Sequence, residues 1–465
     1  MESLQQTNRE ICRAVVLGDN GTELLVVPTD KGLLLPWADI PHDQRFAENL
    51  TAAMRTEWGC ETICLFTPDV PSSADSVSGT PFEVMECCHK THNARTRWVS
   101  VSSLSRGGFA SADDYAAIQQ CVAECHAHVC GQVPGPFAKI GWFRELQAWV
   151  EEVITPLGLQ LNGGFRQLNA SPCFSLIRFE TNGPAIWFKA VGEPNRREFP
   201  ITLALAELFP EYIAPVLATR SAWHGWLARE VEGTNLGETE ESQHWKDAAS
   251  ALAQLQIASI GHQSHLLQCG ARDLRAASLS NLVHPFLEGM GDIMERQVKV
   301  PPPVLTRREL LALGEQILDA LSLFLELGVP DALGHLDLNP GNIIVSADGC
   351  VFLDWAEAYV GNPFLSFQHL LEHLRRTGCT GLLLEAELTA FYTKAWRDLL
   401  SADDIAEALR LAPMLAVFAY AAGTGMRADP GGHQNQNSAG FLRSMTRRLH
   451  CEASLAMERR SPCLN

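Results

Sequence analysis

Four side chains in one stretch, GHLDLNPGNIIVSADGCVFLDWAEAYVGNP, are the types that handle a charged, oxygen-rich ligand: His335, Asp337, Asn342 and Asp354. Asn339-Pro340-Gly341 reads as a turn, and Asn342 ends it and opens the apolar run Ile343-Ile344-Val345. Ser346-Ala347-Asp348-Gly349 then predicts a hairpin, with Cys350-Val351-Phe352-Leu353-Asp354 as the returning strand. Asp337, Asn342 and Asp354 would thus come from one loop and the ends of two paired strands, where they can converge. Two carboxylates and an amide are oxygen ligands of the kind Mg²⁺ takes beside substrate phosphates. One carboxylate would remain to orient or deprotonate a hydroxyl.

The order and spacing match a kinase layout: a loop aspartate, an asparagine five residues on, then a second aspartate at the next turn. The stretch resembles the aminoglycoside phosphotransferase and choline kinase family, a small-molecule branch of the protein-kinase-like fold. His335, Asp337 and Asn342 match its His-x-Asp-x-x-x-x-Asn loop. Asp354, Trp355, Ala358, Gly361 and Pro363 match its Asp-Trp-x-x-Ala-x-x-Gly-x-Pro segment. The family often carries an aspartate a few residues after that proline, where this chain has Ser366. Leu336 stands where protein kinases usually place arginine, and an Ala-Pro-Glu segment is lacking, which argues against a protein kinase regulated through its activation loop.

The resemblance implies that Asp337 is the catalytic residue, that Asn342 and Asp354 hold Mg²⁺, and that ATP is the phosphate donor. Lys189, within the apolar strand PAIWFKAV, would contact the α/β-phosphates and pair with Glu198, nine residues on, with Glu207 as the fallback partner. WHGWLAREVEGTNLG reads as the hinge, with Glu230 and Val231 near the adenine. The phosphate-covering loop has no Gly-x-Gly-x-x-Gly; GGFRQLNASPCFS offers Gly163, Gly164, Asn169 and Ser171 instead.

These residues need elements to position them. The expected fold is α+β: a two-lobed protein-kinase-like fold preceded by a small Nudix-like α/β domain. The boundaries are 1–108 for that domain, 109–138 for a helical connector and linker, and 139–465 for the kinase-like domain. The N-terminal resemblance rests on a hairpin around Asp19-Asn20-Gly21 and a helix with Phe46, Leu50, Met54 and Trp58 at spacing four, stopped by Gly59. The strand-like runs PFEVMECC and TRWVSVSSL follow. A Nudix helix carries several glutamates for Mg²⁺; here Glu57 alone is in register, with Ala52, Ala53 and Thr56 in place of arginine and glutamates. That implies a degenerate, non-hydrolytic domain. Residues from about 112 to 132 predict a helix, GQVPGP a linker, and CFSLIRFET and PAIWFKAV strands.

Two zinc patterns compete. CVAECHAHVC places Cys121, Cys125, His126, His128 and Cys130 together, and HLLEH places His369, Glu372 and His373 at inverted zinc-protease spacing. The first has no second ligand pair at finger spacing, the second is short, and both fall on helical runs, which favours buried thiols and an ordinary helix face.

Composition bounds the partners. The chain has 465 residues, 46% apolar and 19% charged, so it is globular and long enough for roughly two to four domains. With 36 basic against 54 acidic residues, a net charge of −18, nucleic acid is not an expected partner. A small-molecule hydroxyl acceptor is expected, and a cationic one is compatible with this charge. The start MESLQQTNRE has no secretory pattern, and 14 cysteines then imply free thiols in a cytoplasmic protein. LAPMLAVFAYAAG, from Leu411, is shorter than the roughly 18–20 residues of a membrane span and is expected to be a buried helix. The alternative to an active kinase is a nucleotide-binding pseudokinase scaffold. Oligomeric state is left open by the sequence.

Overall fold

A computed structural model describes residues 9–41, 44–68, 81–90, 93–129, 134–376, 382–425 and 436–458. The chain forms two compact units, divided after Phe199, Ala214 and Glu230.

The first unit opens with a mixed sheet. Its elements are β1 (Arg9–Gly18), β2 (Glu23–Thr29), β3 (Gly32–Leu34), β4 (Trp37–Pro41), α1 (Phe46–Trp58), β5 (Cys60–Phe66), β6 (Phe82–Lys90) and β7 (Arg97–Ser100). The strands run β3-β2-β1-β6-β5, with β4 added to β1 and β7 to β2. β1 and β6 are parallel; the β1–β2 turn carries Asn20 at φ 56°, the conformation Asn-Gly favours. Both faces of the sheet are covered. Cys12, Ala14 and Val16 of β1 face one core with Leu50, Met54 and Trp58 of α1. Val15 and Leu17 face another, with Ile118 and Cys121 of α2 (Ala112–Val129) and Leu146 and Val150 of α3 (Trp142–Ile154). Burial on both sides is why these strands read as continuous apolar runs rather than alternating ones.

α1 ends where expected: Gly59 adopts φ 63° and donates its N–H to Met54 O. Phe46 departs from the expected apolar stripe, being 39% exposed at the first turn. The loop PDVPSSADSVSGT lies largely outside the described residues, as do Cys130 and the first half of GQVPGP.

A five-stranded antiparallel sheet follows: β8 (Leu161–Ser171), β9 (Phe174–Thr181), β10 (Ile186–Ala190), then α4 (Glu198–Leu208), β11 (Val216–Arg220) and β12 (Gly225–Arg229), in the order β11-β12-β10-β9-β8. It shares the second core of the mixed sheet, since Phe165, Ile177, Phe188 and Leu227 pack with α3 and with Ile63 and Leu65 of β5. Gln167 of β8, 1% exposed, bridges to β5: its Oε1 accepts Cys64 N–H at 2.7 Å and its Nε2 donates to Cys64 O at 3.2 Å.

The second unit is mainly helical and takes in α4 from Pro200 onward. It contains β13 (Thr234–Asn235), α5 (Ser242–Ala258), α6 (Gln263–Gln268), β14 (Arg272–Leu274), α7 (Ala276–Glu295), α8 (Arg307–Glu326), β15 (Ala332–His335), β16 (Ile343–Ser346), β17 (Gly349–Phe352), β18 (Ala358–Gly361), α9 (Phe364–Arg376), α10 (Leu382–Trp396), α11 (Ala402–Gly425) and α12 (Gln436–Glu458). Two small sheets, β13-β16-β17 and β14-β18-β15, lie among the helices. The α11 helix corrects one expectation. Its span Ala402–Gly423 is long and apolar enough to cross a membrane by length and composition, because the helix begins at Ala402, ahead of the apolar run. Leu411, Leu415, Val417 and Phe418 of that run are buried in the core of this unit.

Candidate active site

The loop between β15 and β16 is built around His335, which is fully buried. Its N–H donates to Ser366 Oγ of α9 at 2.8 Å, and Ser366 in turn meets the Tyr359 hydroxyl at 3.0 Å. The ring is tied at both ends: Nδ1 accepts Asp337 N–H at 3.1 Å, so Nε2 carries the proton and donates to Leu353 O at 3.1 Å. Burial holds the His335 pKa below its ordinary value, which keeps the ring neutral and this bond pattern intact. Gly334, directly across from Tyr359 in the β15–β18 ladder, leaves the space for that ring; a Cβ there would lie 1.9 Å from it.

The remaining polar groups close the loop on itself. Asn342 Nδ2 donates to Asp337 O at 3.1 Å, and Asn339 Nδ2 donates to Asp337 Oδ1 at 3.2 Å. Asn342 O accepts Leu353 N–H at 2.8 Å. The Leu353 backbone is therefore held on both sides, by Asn342 and by His335. Two residues later, Trp355 is buried and donates Nε1–H to Phe352 O at 3.1 Å. Asp354, between these two anchored neighbours, takes φ 61° and ψ 63° and is exposed. A non-glycine residue in that region costs free energy and persists where its surroundings enforce it, a pattern concentrated at functional sites. Asp337 is exposed as well, and both carboxylates act electrostatically on His335.

In the first unit, Lys189 lies on β10, between Leu176 of β9 and Trp226 of β12. Phe188 and Ala190 on either side are fully buried. Lys189 Nζ meets Glu198 Oε1 at 2.5 Å, with the two side chains 16% and 2% exposed. Glu207 is exposed farther along α4. Glu230 follows β12 and its carboxylate takes a two-pronged bond from Arg178, Nε at 2.6 Å and Nη2 at 2.9 Å, plus Trp187 Nε1 at 3.2 Å. The Arg178 guanidinium holds the Glu230 pKa below its ordinary value. Glu230 N–H is spent on Ala185 O at 2.9 Å. Val231 opens the longer segment of the second unit.

The β8–β9 turn, Pro172-Cys173, is the region expected to cover phosphates. Gly163 and Gly164 lie within β8, away from that turn. The segment ahead of α3 straps over it: Phe137 N–H donates to Pro172 O at 3.0 Å, and the Cys173 thiol donates to Pro134 O at 2.8 Å. Gly135 is pressed so close that a Cβ would lie 2.0 Å from Pro172 O. Phe137 anchors the strap among Trp142, Trp223 and Phe188, the neighbour of Lys189. Gly192 closes on Cys173 from the other side, where a Cβ would lie 2.5 Å from Cys173 Cβ.

The zinc patterns do not assemble among the described residues, where no group of three or more His, Cys, Asp and Glu is placed to hold a metal ion. Glu372 faces Arg448 and Arg376 instead. His369 is buried, which pushes its pKa down to about 4. Burial pushes Cys121 up, and Cys125 up to about 11, leaving both as protonated thiols. Glu57 is exposed at the end of α1.

Sequence reasoning missed Ser366 as a support of the loop, Arg178 as the partner of Glu230, and the strap. Ser366 was noticeable as a departure from the family pattern; the other two join residues with no local signal.

Residues 193–400 match the phosphotransferase enzyme family, a segment that includes Glu198, Glu230, Val231, Asp337, Asn342 and Asp354. A comparison with curated proteins finds no match. Solved structures similar to the chain include an ethanolamine kinase of Plasmodium vivax, at 14% identity and TM-score 0.45 over 66% of this chain and 88% of that one. A macrolide 2'-phosphotransferase of Brachybacterium faecium is 18% identical, with TM-score 0.43 over 65% and 97% of the two chains. The choline kinase of Streptococcus pneumoniae is 12% identical, with TM-score 0.41 over 66% and 99%.

Proposed function

We propose that the chain is an ATP-dependent phosphotransferase that moves the γ-phosphate to a hydroxyl of a small molecule, with residues 139–465 as its protein-kinase-like domain. The observation that carries this reading is the Asp337–Asn342–Asp354 arrangement: an exposed carboxylate on a loop locked by neutral His335, and a second carboxylate forced outward at positive φ. The family match over residues 193–400 supports it.

Asp337 is assigned to accept or orient the acceptor hydroxyl's proton. Its Oδ1 already takes one hydrogen bond from Asn339, which fixes the carboxylate plane and leaves Oδ2 for the hydroxyl. Asn342 uses its amide nitrogen on the loop, so its oxygen is the atom that would ligate a cation; with the Asp354 carboxylate this donor set suits a hard ion such as Mg²⁺. When bound, that ion would neutralise charge on the nucleotide phosphates. Lys189, held by Glu198, is assigned to the phosphates, and the backbone of Glu230 and Val231 to the adenine. Because phosphoryl transfer needs little covalent help, placement and charge neutralisation supply most of the rate. An acidic chain of net charge −18 is compatible with a cationic acceptor. The N-terminal sheet, with Glu57 as its single carboxylate in Nudix register, is assigned a non-hydrolytic role.

The test is an ATP-consumption screen over hydroxylated metabolites and aminoglycosides, with Asp337→Asn as control. Turnover is expected to vanish in the variant while Mg-ATP still raises its Tm; ligand at about 100 times Kd adds roughly 2.7 kcal/mol of stability. Turnover retained by Asp337→Asn would remove the assignment of the base. The strapped β8–β9 turn favours a second reading, a nucleotide-binding pseudokinase scaffold, which predicts the thermal shift with no phosphate transfer to any acceptor.

A further inference from the structure

Cys60 opens β5 and Cys87 lies on its neighbour β6, and their Sγ atoms are 3.0 Å apart, with the Cys60 thiol donating to Cys87. A β-bulge between Glu61 and Thr62 falls between Cys60 and the residue paired with Cys87. Sulfurs in a disulfide are about 2.05 Å apart, so closure needs a movement of only about 1 Å. We propose that Cys60 and Cys87 are a redox modification site that closes into a reversible cross-strand disulfide.

The two thiols are unequal in the way thiol–disulfide exchange requires. Cys87 is half-buried and so reachable, whereas Cys60 is 2% exposed. The hydrogen bond from Cys60 and the nearby Lys90 ammonium hold the Cys87 thiol below its ordinary pKa, while the same hydrogen bond and burial push Cys60 up. Lys90 is fixed there: it pairs with Cys60 in the strand register, forms an ion pair with Glu23 and lies 4.4 Å from the Trp98 ring centre. The oxidant is a low-molecular-weight disulfide. The Cys87 thiolate attacks one of its sulfurs, forming a mixed disulfide and releasing one thiolate. Cys60 then loses its proton and attacks the Cys87 sulfur; the protein disulfide forms and the second thiolate leaves. Two protein thiols are oxidised and one small disulfide becomes two thiols. Attack by the thiolate rather than the thiol makes Cys87 the point of entry.

The experiment incubates the full chain with oxidised and reduced glutathione at graded ratios, quenches with acid, and maps peptides without reduction. Expected is a Cys60–Cys87 linked peptide, two hydrogens lighter than the separate thiols, formed at least tenfold faster than any other linkage and reversed by excess reduced glutathione. Cys60→Ser should instead accumulate glutathione on Cys87, and Cys87→Ser should leave Cys60 unmodified. Cys88→Ser should behave as the parent. Linkage of Cys87 to Cys88, linkage only after denaturation, or glutathione on other cysteines with Cys60 and Cys87 untouched would each overturn the proposal.

Discussion

Ser366 Oγ accepts the N–H of His335 at 2.8 Å, so the start of α9 holds the last residue of β15, from which the Asp337 loop departs. Both partners are fully buried. Removing the hydroxyl leaves a buried amide with nothing to bond, and such a loss costs about 1–3 kcal/mol. Ser366→Ala is therefore expected to lower the stability read from urea denaturation by that amount, and also to loosen Asp337, since His335 Nδ1 is what fixes the Asp337 amide. The urea midpoint gives the first quantity; amide exchange at Asp337 gives the second.

Glu198 is the buried member of the ion pair with Lys189. Glu198→Gln keeps the shape and removes the charge, so the lysine loses what orients it. Affinity for Mg-ATP is expected to fall at least tenfold, about 1.4 kcal/mol, as read by calorimetry. An unchanged Kd would mean that Lys189 does not serve the phosphates.

Two buried groups, Glu83 and His369, are expected to answer acid in opposite senses. Glu83 on β6 is buried with a single hydrogen bond from Thr67, and burial pushes its pKa up to about 7. The folded form then binds its proton more tightly than the unfolded chain. Its contribution is complete below the unfolded carboxylate pKa and is lost as pH rises through about 7. His369, pushed down to about 4, works the other way: its contribution is present above pH 6.5 and is lost as pH falls towards 4. Each window is worth up to about 3 kcal/mol. Thermal melts across pH should show Glu83→Gln more stable than the parent at pH 8.5, with the gap closing by pH 5. His369→Gln should lose most relative to the parent at neutral pH, with that difference shrinking in acid.

Gly135 tests the strap. A valine there would force Pro172 aside, since even a Cβ would lie 2.0 Å from its carbonyl oxygen. Amide exchange at Phe137 should accelerate because its acceptor is Pro172 O, whether or not nucleotide binds. If the turn covers phosphates, Mg-ATP affinity should fall in parallel, with no change in the amides around Asp337. Cys173→Ser, which keeps a donor for Pro134 O, should behave as the parent.

What could be read in the sequence was local. The β16–β17 hairpin was legible because Ser-Ala-Asp-Gly is turn chemistry, and Gly349 does adopt φ 135°. The end of α1 was legible because Gly59 is the residue that takes a left-handed cap. Asp337, Asn342 and Asp354 were legible because five residues and one hairpin separate them. The α11 helix was underestimated because polar residues such as Asp404, Glu407 and Arg410 extend it before the apolar run begins. The helix α3, between the GQVPGP linker and the strand CFSLIRFET, was not anticipated. Gln167 with Cys64, Arg178 with Glu230 and Phe137 with Pro172 were invisible, since each pair joins distant positions through tertiary packing rather than spacing.

The bridge from Gln167 to the Cys64 backbone bears on how the chain could be divided. A fragment starting at residue 139 would keep the five-stranded sheet and lose β5, α2 and the Phe137 plug. Gln167 would be left with an amide facing nothing, and Phe143, Phe165 and Phe179 would lose part of their cover. The mixed sheet cut away would be left equally bare along Ile63, Leu65 and Val84. Neither half is a cassette: the two sheets must be inherited, transplanted and denatured together.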